Sequence, residues 1–295
     1  MGQAERIATG SIAVGIVVLA LKLAAWWITG SAALFSDAAE TVVNVVAAFV
    51  ALMALRMAAR PADANHPYGH DKAEFFAAVI EGALIVLAAV LIVEQAWISF
   101  THPAPLEAPV TGLVLNAASS VINMVWAQFV LRRGRRLRSP ALEADGRHLM
   151  ADVVTSFGVL IGVGLVMATG IIAFDPAVAV LTALYVLVSG VLVIKRSVGG
   201  LMDAAPAEEI VARIRAIVGT HAEGAIEAHD LRTRHAGRLT FLEFHLVVPG
   251  AMAVQDAHDI CDRIEGALKA EMEGLMITIH VEPEAKAKHH GVLVL

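Results

Sequence analysis

The chain reads as an α-helical membrane protein with six transmembrane helices, followed by a C-terminal cytoplasmic α+β domain of ferredoxin-like, αββαβ type. Three observations predict this. Of its 295 residues, 58% are hydrophobic and only 17% charged, a balance that soluble domains of this size rarely have. The apolar residues gather into six runs of membrane-spanning length. Past about residue 200 the runs stop, and short alternating and amphipathic segments take over.

The six runs cover roughly 7–29, 32–58, 75–100, 109–131, 141–168 and 171–195. At about 1.5 Å per residue each can cross a hydrocarbon core of about 30 Å. The first run is too long for the core of a signal peptide and ends in no small-residue cleavage site, so it is expected to be a retained helix. Orientation follows from the connections. Arg56 at the end of the second run is followed by Arg60 and Lys72 before the third, and Arg132, Arg133, Arg135, Arg136 and Arg138 follow the fourth. The connections after the first, third and fifth runs hold no Lys or Arg. The positive-inside rule places both basic connections in the cytoplasm. Six spans then put both termini there, in a membrane of the bacterial inner (plasma) type.

The stretch GGLMDAAPAEE reads as a linker and a helix start, with Pro206 in a first turn and Glu208 and Glu209 near its positive end. Residues 207–218 are expected to be helical. GAIEAHDLRTRHA and RLTFLEFHLVV alternate in the manner of strands around a turn near Gly237, 253–272 is an amphipathic helix, and LMITIHVEP is a last strand. The expected organisation is a transport domain over 1–200, a cytoplasmic domain over 201–285 and a flexible tail over 286–295. The single cysteine, Cys261, excludes an intrachain disulfide and a CxxC metal site.

Within the fifth run, His148 and Asp152 are four residues apart and share a helix face. The second run contains SDAAETVVN, with Glu40 and Asn44 at the same spacing and Asp37 one turn earlier. Ionisable groups inside a membrane are costly, face the bundle interior and mark ion or proton paths. Glu40, Asn44, His148 and Asp152 offer three oxygens and one nitrogen, a donor set for a four-coordinate divalent cation of the zinc type. Two carboxylates with a neutral imidazole leave two negative charges for such an ion to cancel. Once emptied, the same ligands would draw protons. The competing expectation is a solvated helix start at His148 and Asp152, with Asp37 and Glu40 paired to a Lys or Arg elsewhere.

Two further clusters stand out. The connection DANHPYGHDKAE holds Asp63, His66 and His70 within eight residues, with Pro67 and Gly69 to bend the chain between the histidines. These three can converge on one ion. In the last third, His229, His245, His258 and His280 fall on or beside the expected elements, and Glu282 shares a strand face with His280. His289 and His290 belong to the tail.

Taken together these stretches resemble the cation diffusion facilitator family of proton-coupled divalent-metal exporters, over nearly the whole chain. NHPYGHDKAE resembles that family's connection between its second and third helices. ALEADGRHLMADVVTS resembles the start of its fifth helix, with the HxxxD pair at His148 and Asp152. SDAAETVVN occupies the place of its second-helix pair, and HDLRTRHAG with the following strand is similar to its cytoplasmic domain. The resemblance implies a homodimer with one transport site per protomer, alternating access, and export from the cytoplasm with protons as counter-ion. It implies a loop site at Asp63, His66 and His70. It also implies cytoplasmic metal ligands at His229, His245, His258, His280 and Glu282, where binding would draw two cytoplasmic domains together and regulate transport.

One departure bears on the metal. Relatives commonly carry His/Asp or Asp/Asp in the second helix, where this chain has Glu40 and Asn44. Asn is neutral and a weaker ligand, which leaves Asp37 open as a replacement for Asn44. Zinc is the first expected metal, both as substrate and as regulator, followed by iron(II), cobalt, cadmium and manganese. His148 argues against manganese, which prefers oxygen-only sites. Besides protons and a second copy of the chain, membrane lipid is the expected partner, and nucleic acid is not. Two other functions stay open on the sequence: efflux of an organic cation through a Glu40–Asp152 proton relay, and a membrane-bound metal sensor without transport. An enzyme is not expected, since no nucleophile–base pair, phosphate loop or cofactor fingerprint occurs.

Overall fold

The computed structural model describes residues 2–29, 32–102, 110–288 and 292–293. The chain divides into two units, Met1–Val198 and Gly199–Leu295.

The first unit is built from α1 (Gln3–Thr29), α2 (Ala32–Ala58), α3 (Ala73–Thr101), α4 (Val110–Leu137), α5 (Pro140–Thr169) and α6 (Phe174–Leu201). All six are long and apolar enough to cross a membrane. The helices outrun the apolar stretches that announce them: α1 begins at Gln3, and α4 continues through Arg135 and Arg136. Helical hydrogen bonding needs no apolar side chain, so the backbone keeps its ladder through the polar ends. Ser139 caps α5, its Oγ accepting from the Leu142 amide at 3.3 Å, with Pro140 in the first turn. The same hydroxyl donates to Glu74 at the start of α3. Trp27, near the end of α1, and Trp97 and Phe100, near the end of α3, are exposed, as suits the aromatic belt at a membrane surface.

Helices pack through small residues, as membrane helices do. A Cβ at Gly82 of α3 would stand 2.7 Å from the Ile194 side chain and 3.2 Å from the Gly190 carbonyl of α6. A Cβ at Gly146 of α5 would meet Leu131 of α4 at 2.7 Å. These approaches bring the backbones close enough for the few polar side chains to meet.

The second unit runs α7 (Glu208–His221), β1 (Glu227–Ala236), β2 (Leu239–Val248), α8 (Val254–Glu271), β3 (Leu275–Pro283) and the two-residue β4 (Val292–Leu293). The sheet order is β3-β2-β1-β4. β1 and β2 form an antiparallel hairpin, turned at Gly237 with φ +57°. β2 and β3 are parallel, joined by α8 as the crossover that parallel strands require. Leu242, Phe244 and Leu246 of β2 form one buried cluster with Ile214 and Val218 of α7 and Ile260 and Ile264 of α8. One sheet face is thereby covered by helices, and alternation turns the odd-numbered residues of β2 to the other. A short 3₁₀ turn at Glu284–Lys286 spans the expected end of the domain, and the stretch expected to be a flexible tail contributes the strand β4, which extends the sheet beside β1. His289 and His290 lie outside the described residues.

Candidate metal centres

Within the first unit, α5 and α2 bring His148 and Asn44 together: imidazole Nε2 and amide Oδ1 share a hydrogen bond of 2.7 Å, and both side chains are buried. The remaining polar atoms of the pair, His148 Nδ1 and Asn44 Nδ2, are buried without a hydrogen-bond partner. Asp152, one turn along α5, is buried too. The pair therefore does not sit at a solvated helix start. Asp152 is engaged from two other helices. Lys22 Nζ of α1 lies 3.3 Å from Oδ1 and 3.4 Å from Oδ2, and Asn123 Nδ2 of α4 donates to Oδ2 at 2.7 Å. Glu40 is partly buried one turn before Asn44. The Asp37 side chain lies outside the described residues. Among the described residues, the groups of three or more His, Asp or Glu whose ligand atoms all lie within 4.8 Å of one another are in the other unit and in the α2–α3 connection, not here.

A second polar layer lies nearer the start of α1 and α5. Trp126 Nε1 of α4 donates to Ser11 Oγ at 2.9 Å, and that hydroxyl donates to Asp145 Oδ2 at 2.6 Å. Glu81 of α3 is fully buried, with both carboxylate oxygens unpartnered.

In the α2–α3 connection, the Asp63 carboxylate accepts from the backbone amides of Asn65 at 2.9 Å and His66 at 2.8 Å. These bonds, the His66 amide first, hold its carboxyl below the ordinary carboxylate range. The folded turn, with Gly69 at φ +87°, brings the two imidazoles together at a tilt, ring centroids 4.3 Å apart. His66 Nδ1 then lies 3.3 Å from Asp63 Oδ1, and His70 Nε2 lies 3.5 Å from Asp63 Oδ2. Two ring nitrogens face one ionised carboxylate, which is the start of a cation site.

In the second unit, strand register aligns three histidines. His229 pairs with His245 across β1 and β2, and His245 pairs with His280 across β2 and β3. Their ring centroids are 5.3 and 5.0 Å apart. Glu282 stands two residues along β3 on the same face. Its Oε2 is 3.3 Å from His229 Nε2, and its Oε1 is 3.4 Å from His245 Nδ1 and 3.8 Å from His280 Nε2. His229 Nε2 and His245 Nδ1 are buried without a hydrogen-bond partner, so nitrogen donors converge on a carboxylate with room for a cation to join them. Glu227 orients the inner ring, its Oε1 lying 3.0 Å from His229 Nδ1. His258 is not part of this row. It lies on α8, which covers the opposite face, is exposed, and sits 3.7 Å from Asp262.

Asp230 also reaches the histidines, forming a group with His229 and His245. Simple alternation would turn neighbours 229 and 230 to opposite faces. A bulge between His229 and Arg232, with Asp230 at φ +53°, breaks that alternation. The Lys288 ammonium, 2.6 Å from Asp230 Oδ2, holds that carboxyl below its ordinary range.

Lys22, Asn123, Glu81 and Asp145 are polar residues of this bundle that the sequence reading did not single out. Each is a polar or charged residue inside an apolar run, which is itself a signal. The partners of Lys22, Asn123 and Asp145 are far away in sequence, so no local spacing links them.

Six apolar helices enclosing imidazole, amide and carboxylate groups, with a histidine-bearing α+β unit after them, define a membrane transporter of the cation-handling class. Residues 8–202 match the family model of the cation efflux transmembrane domain, and residues 206–284 that of the cation efflux protein cytoplasmic domain. The chain belongs to the cation efflux, or cation diffusion facilitator, family, whose members are transporters and not enzymes. Its relatives include an uncharacterised transporter, sll1263, of Synechocystis sp., 40% identical over 92% of this chain and 88% of that one. The cation-efflux pump FieF of Shigella flexneri serotype 5b is 30% identical over 97% of this chain and 95% of its own. A solved structure of CzrB in its zinc form covers 29% of this chain and 98% of that chain at 50% identity, with a TM-score of 0.28.

Proposed function

We propose that the protein exports a divalent transition-metal cation, zinc first, from the cytoplasm in exchange for protons. It would work as a homodimer in a bacterial-type inner membrane, with both termini in the cytoplasm. The observation that carries this is the buried contact between His148 Nε2 and Asn44 Oδ1, 2.7 Å, one helical turn from buried Asp152. An imidazole, an amide oxygen and a carboxylate on two packed helices are borderline-soft and hard donors together, a set suited to zinc, cobalt or iron(II). Glu40, one turn along α2, supplies the fourth donor. Protons compete for His148, Asp152 and Glu40, and that competition is the chemistry of exchange.

In this reading Asp63, His66 and His70 form an entry site on the cytoplasmic connection. His229, His245, His280 and Glu282, with Glu227 and Asp230 beside them, form a regulatory site. Metal there would stiffen the sheet face and favour association of two cytoplasmic domains.

The test is metal uptake into inside-out or reconstituted vesicles under an imposed pH gradient, with zinc, iron(II), cobalt, cadmium and manganese. Flux that collapses with the gradient and with Asp152→Ala supports the reading and names the substrate. Flux of no metal, with metal still bound by the cytoplasmic unit, would replace it with a sensor.

A further inference from the structure

The contact between Lys22 and Asp152 joins residues 130 positions apart. Lys22 sits well inside α1, Asp152 well inside α5, and each side chain is 2% exposed. The ammonium stands astride both carboxylate oxygens at 3.3 and 3.4 Å, and Asn123 takes Oδ2 from another side at 2.7 Å. All three groups are buried. Asp152 is thus compensated in charge and hydrogen bonding from within the chain.

We propose that Lys22 is a tethered rival of the transported cation. Its ammonium occupies the Asp152 carboxylate while the site is empty and gives that carboxylate up when a metal is bound. This rests on the reading of Asp152 as a ligand of the transport site.

Electrostatics requires the exclusion. A divalent ion bound through an Asp152 oxygen would lie within a few ångströms of the ammonium, and like charges in a low-dielectric interior repel strongly. Metal and Lys22 therefore compete for the same oxygens, and the measured affinity is the metal's advantage over the lysine. Lysine suits this part, being a compact point charge on a flexible four-carbon stem that can swing without moving its helix. Lys22 and protons then contend with the metal for the same carboxylate, and both favour its release.

The two substitutions that separate this from a packing role have opposite expected signs. Lys22→Met removes the rival, so metal should bind more tightly and leave more slowly. Lys22→Arg keeps the charge and adds a planar fork that grips a carboxylate through two hydrogen bonds, so metal should bind more weakly.

The experiment is Zn2+ titration of the purified full-length protein in detergent, against a fluorescent chelator. The background carries His66→Ala and His245→Ala to silence the other two clusters. Expected are a rise in affinity of about tenfold or more for Lys22→Met and a fall of about tenfold for Lys22→Arg, each a shift of about 1.4 kcal/mol. Equal affinities in all three proteins, or weaker binding by Lys22→Met in a monodisperse sample, overturn the proposal. If Lys22→Met does not fold, Lys22→Arg decides: weaker binding supports the rivalry and unchanged binding removes it. Asp152→Ala in the same background separates the two levels. Zn2+ binding that survives it undoes the transport-site reading itself, whatever Lys22 does.

Discussion

Asn44 and His148 meet across the α2–α5 packing at 2.7 Å, imidazole Nε2 against amide Oδ1. The amide is neutral where a carboxylate would add charge to the site. Asn44→Asp should raise Zn2+ affinity roughly tenfold and raise Mn2+ affinity relatively more, because the added group is a hard anion. His148→Ala should lower Zn2+ affinity and lower Mn2+ affinity relatively less, because the donor lost is the nitrogen that disfavours manganese. Losing a supporting residue around a metal already costs about 10–100-fold, and losing a ligand should cost at least as much. Competition titrations with the two metals read both changes.

The histidine row predicts a hierarchy. His245 stands between His229 and His280, and Glu282 reaches all three rings. Either His245→Ala or Glu282→Ala should abolish high-affinity Zn2+ binding by the cytoplasmic unit. His258→Ala, on the other face, should cost less. Counting Zn2+ per chain in the full-length protein distinguishes them.

At the α2–α3 connection, the lowered carboxyl of Asp63 sets the sign of a pH effect. The ionised form is the favoured one in the folded loop. Its contribution is present above the ordinary carboxyl range and is lost only as pH falls through the lowered value. Acid release of metal there is consequently not expected to follow protonation of Asp63. Asp63→Asn should weaken Zn2+ binding by the loop and leave the pH midpoint of its release in place. A midpoint that moves with the substitution would show the carboxyl to be the titrating group.

Glu81 is 0% exposed with neither oxygen hydrogen-bonded. A buried polar group left unsatisfied costs roughly 1–3 kcal/mol. Glu81→Met should therefore stabilise the protein in detergent by about that much, read from thermal unfolding. Stabilisation with loss of vesicle flux would show that the carboxylate is retained for transport.

Cys261 belongs to the core of the second unit, and burial pushes its thiol up from the ordinary range. Less thiolate forms at neutral pH and little of the sulfur is reachable. A thiol reagent should label it slowly in the folded protein, and the rate should jump when the cytoplasmic unit unfolds. Fast labelling at neutral pH without unfolding would contradict this packing.

Much of the architecture is local and was therefore legible. A span is a property of some 20 consecutive residues, so length and apolarity expose it. The i,i+4 geometry that puts His148 and Asp152 on one face is likewise contained in five residues. The alternation that puts His280 beside Glu282 is contained in three.

Register and packing are not local. Which residue of β1 faces His245 depends on a hairpin turn and on a bulge at Asp230, and the bulge brings in a carboxylate that alternation would have turned away. His258 has the composition of a ligand, but α8 packs on the far side of the sheet, and only the assembled sheet shows this. In the membrane unit, sequence spacing marked His148 and Asp152 as expensive groups, while Lys22 and Asn123 remained isolated polar residues in separate apolar runs. Helix packing decided that Asp152 meets both of them. Charge inside a membrane is compensated by whatever the bundle brings within about 3 Å, and that distance is set by side-chain fit between helices far apart in the chain.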